Sequence, residues 1–132
     1  MNRFEGLNEM SNVIYQNNKE KGFWDNERNI GELLMLVTSE LAEALEAHRK
    51  GKHATTKNIR TFESDHNDKW QRPSHDAFSF NSTIKDTFED EIADTLIRLL
   101  DLCGGLGIDI EYHVMAKVEY NKTREKFHGK KY

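Results

Sequence analysis

The amino-acid sequence predicts an all-α fold: a four-helix bundle with a long polar loop between its second and third helices. Three observations carry this. Apolar residues recur at helical spacing in four segments. Caps and glycine stops punctuate those segments. The chain holds one proline and few runs of β-branched residues, and no segment reads as strand.

At 132 residues the chain suits a single domain, 1–132, with one modest core. Hydrophobic residues make up 36% and charged residues 32%, a polar composition but not a disordered one. The net charge of -4 argues against a general nucleic-acid or membrane-surface binder, which would carry a basic excess. An anionic small molecule stays compatible, because a metal can supply positive charge locally. The one cysteine, Cys103, allows no internal disulfide and fits a reducing compartment. It lies in the apolar run Leu99-Leu100-Asp101-Leu102-Cys103, where it reads as a small buried hydrophobe. The segment Met1-Asn2-Arg3-Phe4-Glu5 has no apolar signal region, and no apolar run approaches a membrane span. The expectation is a cytoplasmic protein.

The first helix is predicted over Leu7 to Lys21, with Leu7, Met10, Val13 and Ile14 on one face and Gly22 as its stop. Lys19 and Lys21 suit the negative end of its dipole. Phe23-Trp24-Asp25-Asn26 forms a connector. The second helix starts near Asp25 to Asn29, where Asp and Asn can cap, and runs to Arg49-Lys50-Gly51. Leu34, Leu41 and Leu45 give it a second apolar line, about 100–140° from Glu40. A helix apolar on two sides is either central or part of an oligomer interface. Residues 52 to 82 are polar, hold Pro73, and scatter Ile59, Phe62, Trp70, Phe78 and Phe80 without a period. A structureless loop of this length is uncommon, so a short helix, a hairpin, disorder or a partner contact all stay open. The third helix has start signals at Ser82 to Asp86, with Thr83 and Asp86 at capping-box spacing, and Gly104-Gly105 breaks it. The fourth starts after Gly107 with Asp109 as cap and runs to about Phe127, before Gly129 and the basic tail Lys130-Lys131-Tyr132.

The second helix carries an oddity. Leu33, Leu36, Val37, Glu40, Glu43, Ala44 and Ala47 fall within about 60° of one direction. Two carboxylates therefore stand in a core-facing stripe. A buried carboxylate must be neutralised, paired or bound to a metal. Glu91 and Asp94 repeat the i, i+3 spacing on the third helix, with Arg98 within about 60° of Glu91. If both helices pack through their apolar faces, four carboxylates converge and repel unless a hard divalent cation joins them. Magnesium keeps waters and takes phosphates as further ligands, so such a site suits phosphate chemistry. The plainer alternative is a solvated acidic face with local pairs such as Asp94 with Arg98.

Glu40-x-x-Glu43 followed by Glu91-x-x-Asp94 resembles the motif of the MazG-like, all-α nucleoside triphosphate pyrophosphohydrolases. Lys21-Gly22-Phe23-Trp24-Asp25 looks like the family's entry segment. Lys117-x-x-x-Asn121-Lys122-Thr123-Arg124, followed by His128-Gly129-Lys130, looks like its C-terminal segment. The resemblance covers most of the chain except residues 52 to 82. That stretch is the departure: 47 residues (44–90) separate Glu43 from Glu91, more than a compact member would carry. The resemblance implies magnesium-dependent hydrolysis of a nucleoside triphosphate to the monophosphate and pyrophosphate, with manganese as a substitute ion. It implies Glu40, Glu43, Glu91 and Asp94 as metal ligands. One acid not fully used in coordination, with Glu43 the candidate, would act as general base.

Asn121, Arg124 and His128 lie within about 40° of Lys117 on the fourth helix. They form either a solvated face or a phosphate-binding stripe, with Arg124 bidentate. Arg98 is either a phosphate ligand or the partner of Asp94. Trp24 is either a base-stacking surface, as the family's entry segment suggests, or a core anchor beside Phe23. No histidine makes a zinc-ligand spacing with cysteine, and Gly104-Gly105-Leu106-Gly107 lacks the context of a phosphate loop. The expected assembly is a homodimer or homotetramer. Two rivals remain: a related enzyme for deoxy-pyrimidine or phosphoribosyl nucleotides, and a non-catalytic helical interaction protein.

Overall fold

The computed structural model describes residues 3–67 and 73–124. Trp70 and the residues from 125 on, His128 and Gly129 among them, lie outside the described residues. The last helix does not run on toward Phe127 as expected: it ends at Lys122 with Thr123 as its C-cap. The described residues hold six helices and no strand: α1 (Leu7–Glu20), α2 (Ile30–Arg49), α3 (Thr56–Asn67), α4 (Pro73–Thr83), α5 (Phe88–Leu106) and α6 (Ile110–Lys122). The all-α expectation holds. The loop expected over 52 to 82 contains α3 and α4, so the described helices number six rather than four. None of them is long and apolar enough to cross a membrane.

The chain groups into two compact units, Met1–Arg28 with Leu100–Tyr132, and Asn29–Leu99. In the first, α1 and α6 pack together. Asn8 stitches them, its Nδ2 donating to Asp109 Oδ1 at 2.7 Å while its Oδ1 accepts from Glu111 N at 3.2 Å. Asp109 is the predicted cap of α6, accepting from Tyr112 N at 3.0 Å. Leu100, Leu102 and Cys103 are the buried apolar residues of this unit. Burial raises the Cys103 thiol pKa, which suits a packing role.

Gly104 and Gly105 do not break the helix as expected. They lie inside α5, which ends at Leu106 before Gly107 turns the chain with φ 64°. The pair exists for close approach. A Cβ on Gly104 would stand 2.6 Å from Tyr15 Cβ and 2.9 Å from Ser11 O. A Cβ on Gly105 would intrude into the Trp24 ring. Ser11, itself buried, donates from Oγ to Leu100 O at 2.7 Å. The Trp24 indole packs edge-on against Tyr15 at 5.3 Å and donates from Nε1 to the buried Asp101 at 3.0 Å.

In the second unit, Asn29 caps α2 as the sequence suggests, accepting from Glu32 N at 3.0 Å. Glu40, Ala44 and Ala47 form its buried line, and Leu34, Leu41 and Leu45 its exposed one. The α3 and α4 helices pack on each other through Phe62 and Phe80, ring centroids 5.7 Å apart, and through Asn58 Nδ2 donating to Thr83 O at 2.9 Å. The start of α5 is not at Thr83. That hydroxyl closes α4 by donating to Ser79 O at 2.6 Å. Thr87, four residues later with the same spacing to Asp90, does the capping: Asp90 N donates to Thr87 Oγ1 at 3.3 Å. The segment after α2 is pinned to this start. Phe88 N donates to Lys52 O at 2.9 Å, and Glu89 accepts from Ala54 N at 2.7 Å and meets His53 Nδ1 at 3.1 Å.

Gly105→Ala gives a direct check, because helix propensity and packing predict opposite signs. Propensity favours alanine by about 1 kcal/mol, whereas overpacking typically costs about 1–3 kcal/mol. With the Trp24 ring in the way, packing wins. Urea unfolding should show a destabilised variant, and a smaller penalty when Trp24→Ala is already present. A stabilised Gly105→Ala protein would contradict the close approach.

Candidate metal centre

The acidic residues are placed by two helices of the same unit. On α2, the 3.6-residue repeat sets Glu40 beside Ala44 and Ala47 on the buried face. On α5, the cap at Thr87 puts Glu89, Asp90 and Glu91 in the first turn, where the helix dipole favours anions. The second pair follows one turn on. Both helices line one cavity of about 550 Å³. Glu40, Glu43, Glu91, Asp94 and Arg98 all border it.

Three carboxylates come together most tightly. Glu40, Glu91 and Asp94 each offer an oxygen, and these lie within 4.8 Å of one another. Glu43 borders the same cavity without joining that group, and it is exposed where the helical stripe predicts burial. Glu40 and Glu91 are 6% and 5% exposed. Glu40 accepts from Arg98 Nε at 2.5 Å, across 58 residues of chain. Arg98 is thus the partner of Glu40, not of Asp94. Among the described residues no hydrogen bond or ion pair reaches the Glu91 carboxylate.

The electrostatics follow from this arrangement. Burial raises the Glu91 pKa above the ordinary value, and the charges of Glu43, Asp90, Glu40 and Asp94 push the same way. Asp94 is raised by partial burial, then by Asp90 and Glu40, with Arg98 opposing. Buried oxygen donors with uncompensated negative charge fit a hard divalent cation.

A second acidic trio, Asp86, Asp90 and Glu91, also brings oxygens within 4.8 Å. It is better compensated. Asp86 meets Lys85 at 2.9 Å and Lys52 at 3.6 Å, and Asp90 Oδ2 accepts from Asp86 N at 2.9 Å. Lys85, Asp86 and Phe80 also border the cavity described above. The sequence reading missed all three. Phe80 comes from the stretch without periodicity, whereas Lys85 and Asp86 sit in a turn that was read as helix.

The remaining expected site residues belong to the other compact unit. Trp24 has the partners already described. Lys117 and Arg124 both stand over the Tyr120 ring, at 4.8 and 5.8 Å from its centroid. Asn121 Oδ1 is buried with no hydrogen-bond donor. Compared with known proteins, the chain matches no family model, no curated protein and no solved structure.

The raised carboxyls carry a stability prediction. Each binds its proton more tightly in the folded chain than in the unfolded one. Their contribution therefore favours folding at acidic pH and is lost as pH rises through the raised values. Asp86, Glu89 and Asp109 are held low and act in the opposite sense. Glu91→Gln isolates the effect. In chelator, its urea midpoint should exceed that of the wild type at neutral pH, with the gap closing on acidification. A lower neutral midpoint for Glu91→Gln would refute the uncompensated charge.

Proposed function

We propose that this chain is a magnesium-dependent nucleoside triphosphate pyrophosphohydrolase of the MazG-like type, working as a homo-oligomer. One observation carries the reading. Two i, i+3 acid pairs, far apart in sequence, border one cavity, and a buried carboxylate there has no hydrogen-bond or ion-pair partner among the described residues. In this reading Glu40, Glu91 and Asp94 hold the ion. Manganese can take its place, having the same preference for oxygen donors. A bound magnesium supplies charge neutralisation for the triphosphate and acidifies water.

The reaction is attack of water on the α-phosphorus, with pyrophosphate as the leaving group. Glu43, outside the tight trio yet on the cavity, accepts the proton of the attacking water. Lys85 is the cation on this cavity that suits the departing phosphates, and Phe80 offers an aromatic wall for a base. Lys117, Asn121 and Arg124 belong to the other compact unit, where Trp24 is held by Tyr15 and Asp101, which suits an anchor rather than a base-stacking surface.

The surface supports oligomerisation. Met35 on α2 is 65% exposed, and Leu41, Leu45, Ile92 and Leu96 of the same unit are also open. In the other unit Tyr112 and Met115 on α6 are 63% and 64% exposed. Exposed apolar residues of this kind suit an interaction face, and a second copy of the chain is the partner this reading assigns.

Two measurements test the proposal. Pyrophosphate release from a panel of nucleoside triphosphates should require magnesium. Glu43→Gln should lower kcat by about 10²–10⁴-fold, the usual contribution of a general base, while leaving metal affinity largely intact. Absence of magnesium-dependent release on every nucleotide would reject the enzyme. Light scattering should report a dimer or tetramer, and a stable monomer would reject the assembly.

A further inference from the structure

Glu40 poses a problem that the metal alone does not solve. Its side chain is 8% exposed, and a protein without bound ion would hold that charge in the helix seam at high cost. Arg98 is the group that meets it. Its guanidinium sits on Glu40, one of the three residues whose oxygens cluster. The two ends of this pair differ. Glu40 is fixed in the buried stripe of α2, whereas the Arg98 side chain is 43% exposed and long enough to swing into solvent. Among the described residues no hydrogen bond or ion pair reaches the buried Glu91 carboxylate, and the carboxyls bordering the cavity outnumber its cations, Lys85 and Arg98.

Resting on the metal-centre reading above, we propose that Arg98 is the resident counter-ion of the metal-free centre, and that a divalent cation displaces it from Glu40. One unit of positive charge leaves and two arrive. The exchange fills the deficit that Arg98 leaves at Glu91 and Asp94. It also uncovers a guanidinium at the cavity edge, where its fork suits an anionic oxygen pair. Arg98 therefore competes with the metal for Glu40, and it shields the seam when no metal is present.

The test follows the guanidinium and the affinity separately. In wild-type protein, the Arg98 Nε–H signal, assigned by its absence from the Arg98→Lys spectrum, should shift during a magnesium titration and saturate with metal binding. By calorimetry, Arg98→Met should bind magnesium and manganese about 10–100-fold more tightly, since the hydrogen bond to a charged group that no longer competes is worth roughly 1.5–3 kcal/mol. In chelator the same variant should melt earlier than wild type, and saturating magnesium should close the gap. Unchanged or weaker affinity in Arg98→Met, or metal saturation with the Arg98 signal unmoved, overturns the exchange alone. If Arg98→Met fails to fold, the wild-type titration decides. No binding of either metal to wild-type protein overturns the metal centre and this inference with it.

Discussion

Burying carboxylates is the constraint on which the Asn29–Leu99 unit turns. A buried, ionised group without a partner costs several kcal/mol. Glu40 and Glu91 are both buried. Two apolar residues at those places would pack with no such cost. The chain instead brings Arg98 from a distant segment to Glu40, and among the described residues no hydrogen bond or ion pair reaches the Glu91 carboxylate. The surrounding structure is built to hold these charges in place. The Thr87 cap sets the rotation of α5, and the Lys52–Phe88 and Ala54–Glu89 hydrogen bonds anchor its first turn to the segment that leaves α2.

The other unit solves a different problem, that of bringing backbones close. Small residues make room and a large one fills it. Gly104 and Ser11 allow α1 to lie against the C-terminal part of α5, and Gly105 provides the floor for Trp24. The indole is then fixed at both ends, by Tyr15 on its edge and Asp101 on its nitrogen. Such a residue resists repositioning. That favours the anchor reading of Trp24 in this chain, and it makes Phe80 the aromatic whose placement on the acidic cavity calls for a role.

Much of this was legible in the sequence, and the parts that were not share physical causes. The bounds of α1 and α2 and the start of α6 follow from apolar spacing and from Asn29 and Asp109, whose caps are local chemistry. The acid pairs were visible because i, i+3 spacing fixes direction on a helix without tertiary information. Gly104-Gly105 was misread because glycine signals both helix ends and close contacts, and only the neighbour decides. Thr83 and Thr87 offer identical capping spacing, and the choice fell to Thr87 because α4 already uses Thr83. The α3 and α4 helices lack a clear stripe because they pack mainly on each other, through few aromatic residues. The Arg98–Glu40 pair spans 58 residues, and no local pattern can announce such a contact.

The placement of cations separates the two acidic trios. Both share Glu91, and both bring three oxygens within the same distance. Around Asp86 and Asp90 the protein supplies Lys52, Lys85 and a backbone N–H, all near the surface. Around Glu40 and Asp94 it supplies one arginine, and the Glu91 and Asp94 carboxyls respond by holding protons more tightly than usual. A trio balanced by lysines has little to gain from an added ion. A trio with one arginine for its charges has more to gain from an added cation. The same placement separates the acids by exposure. Glu40 and Glu91 are buried, whereas Glu43 is exposed at the edge of the cavity.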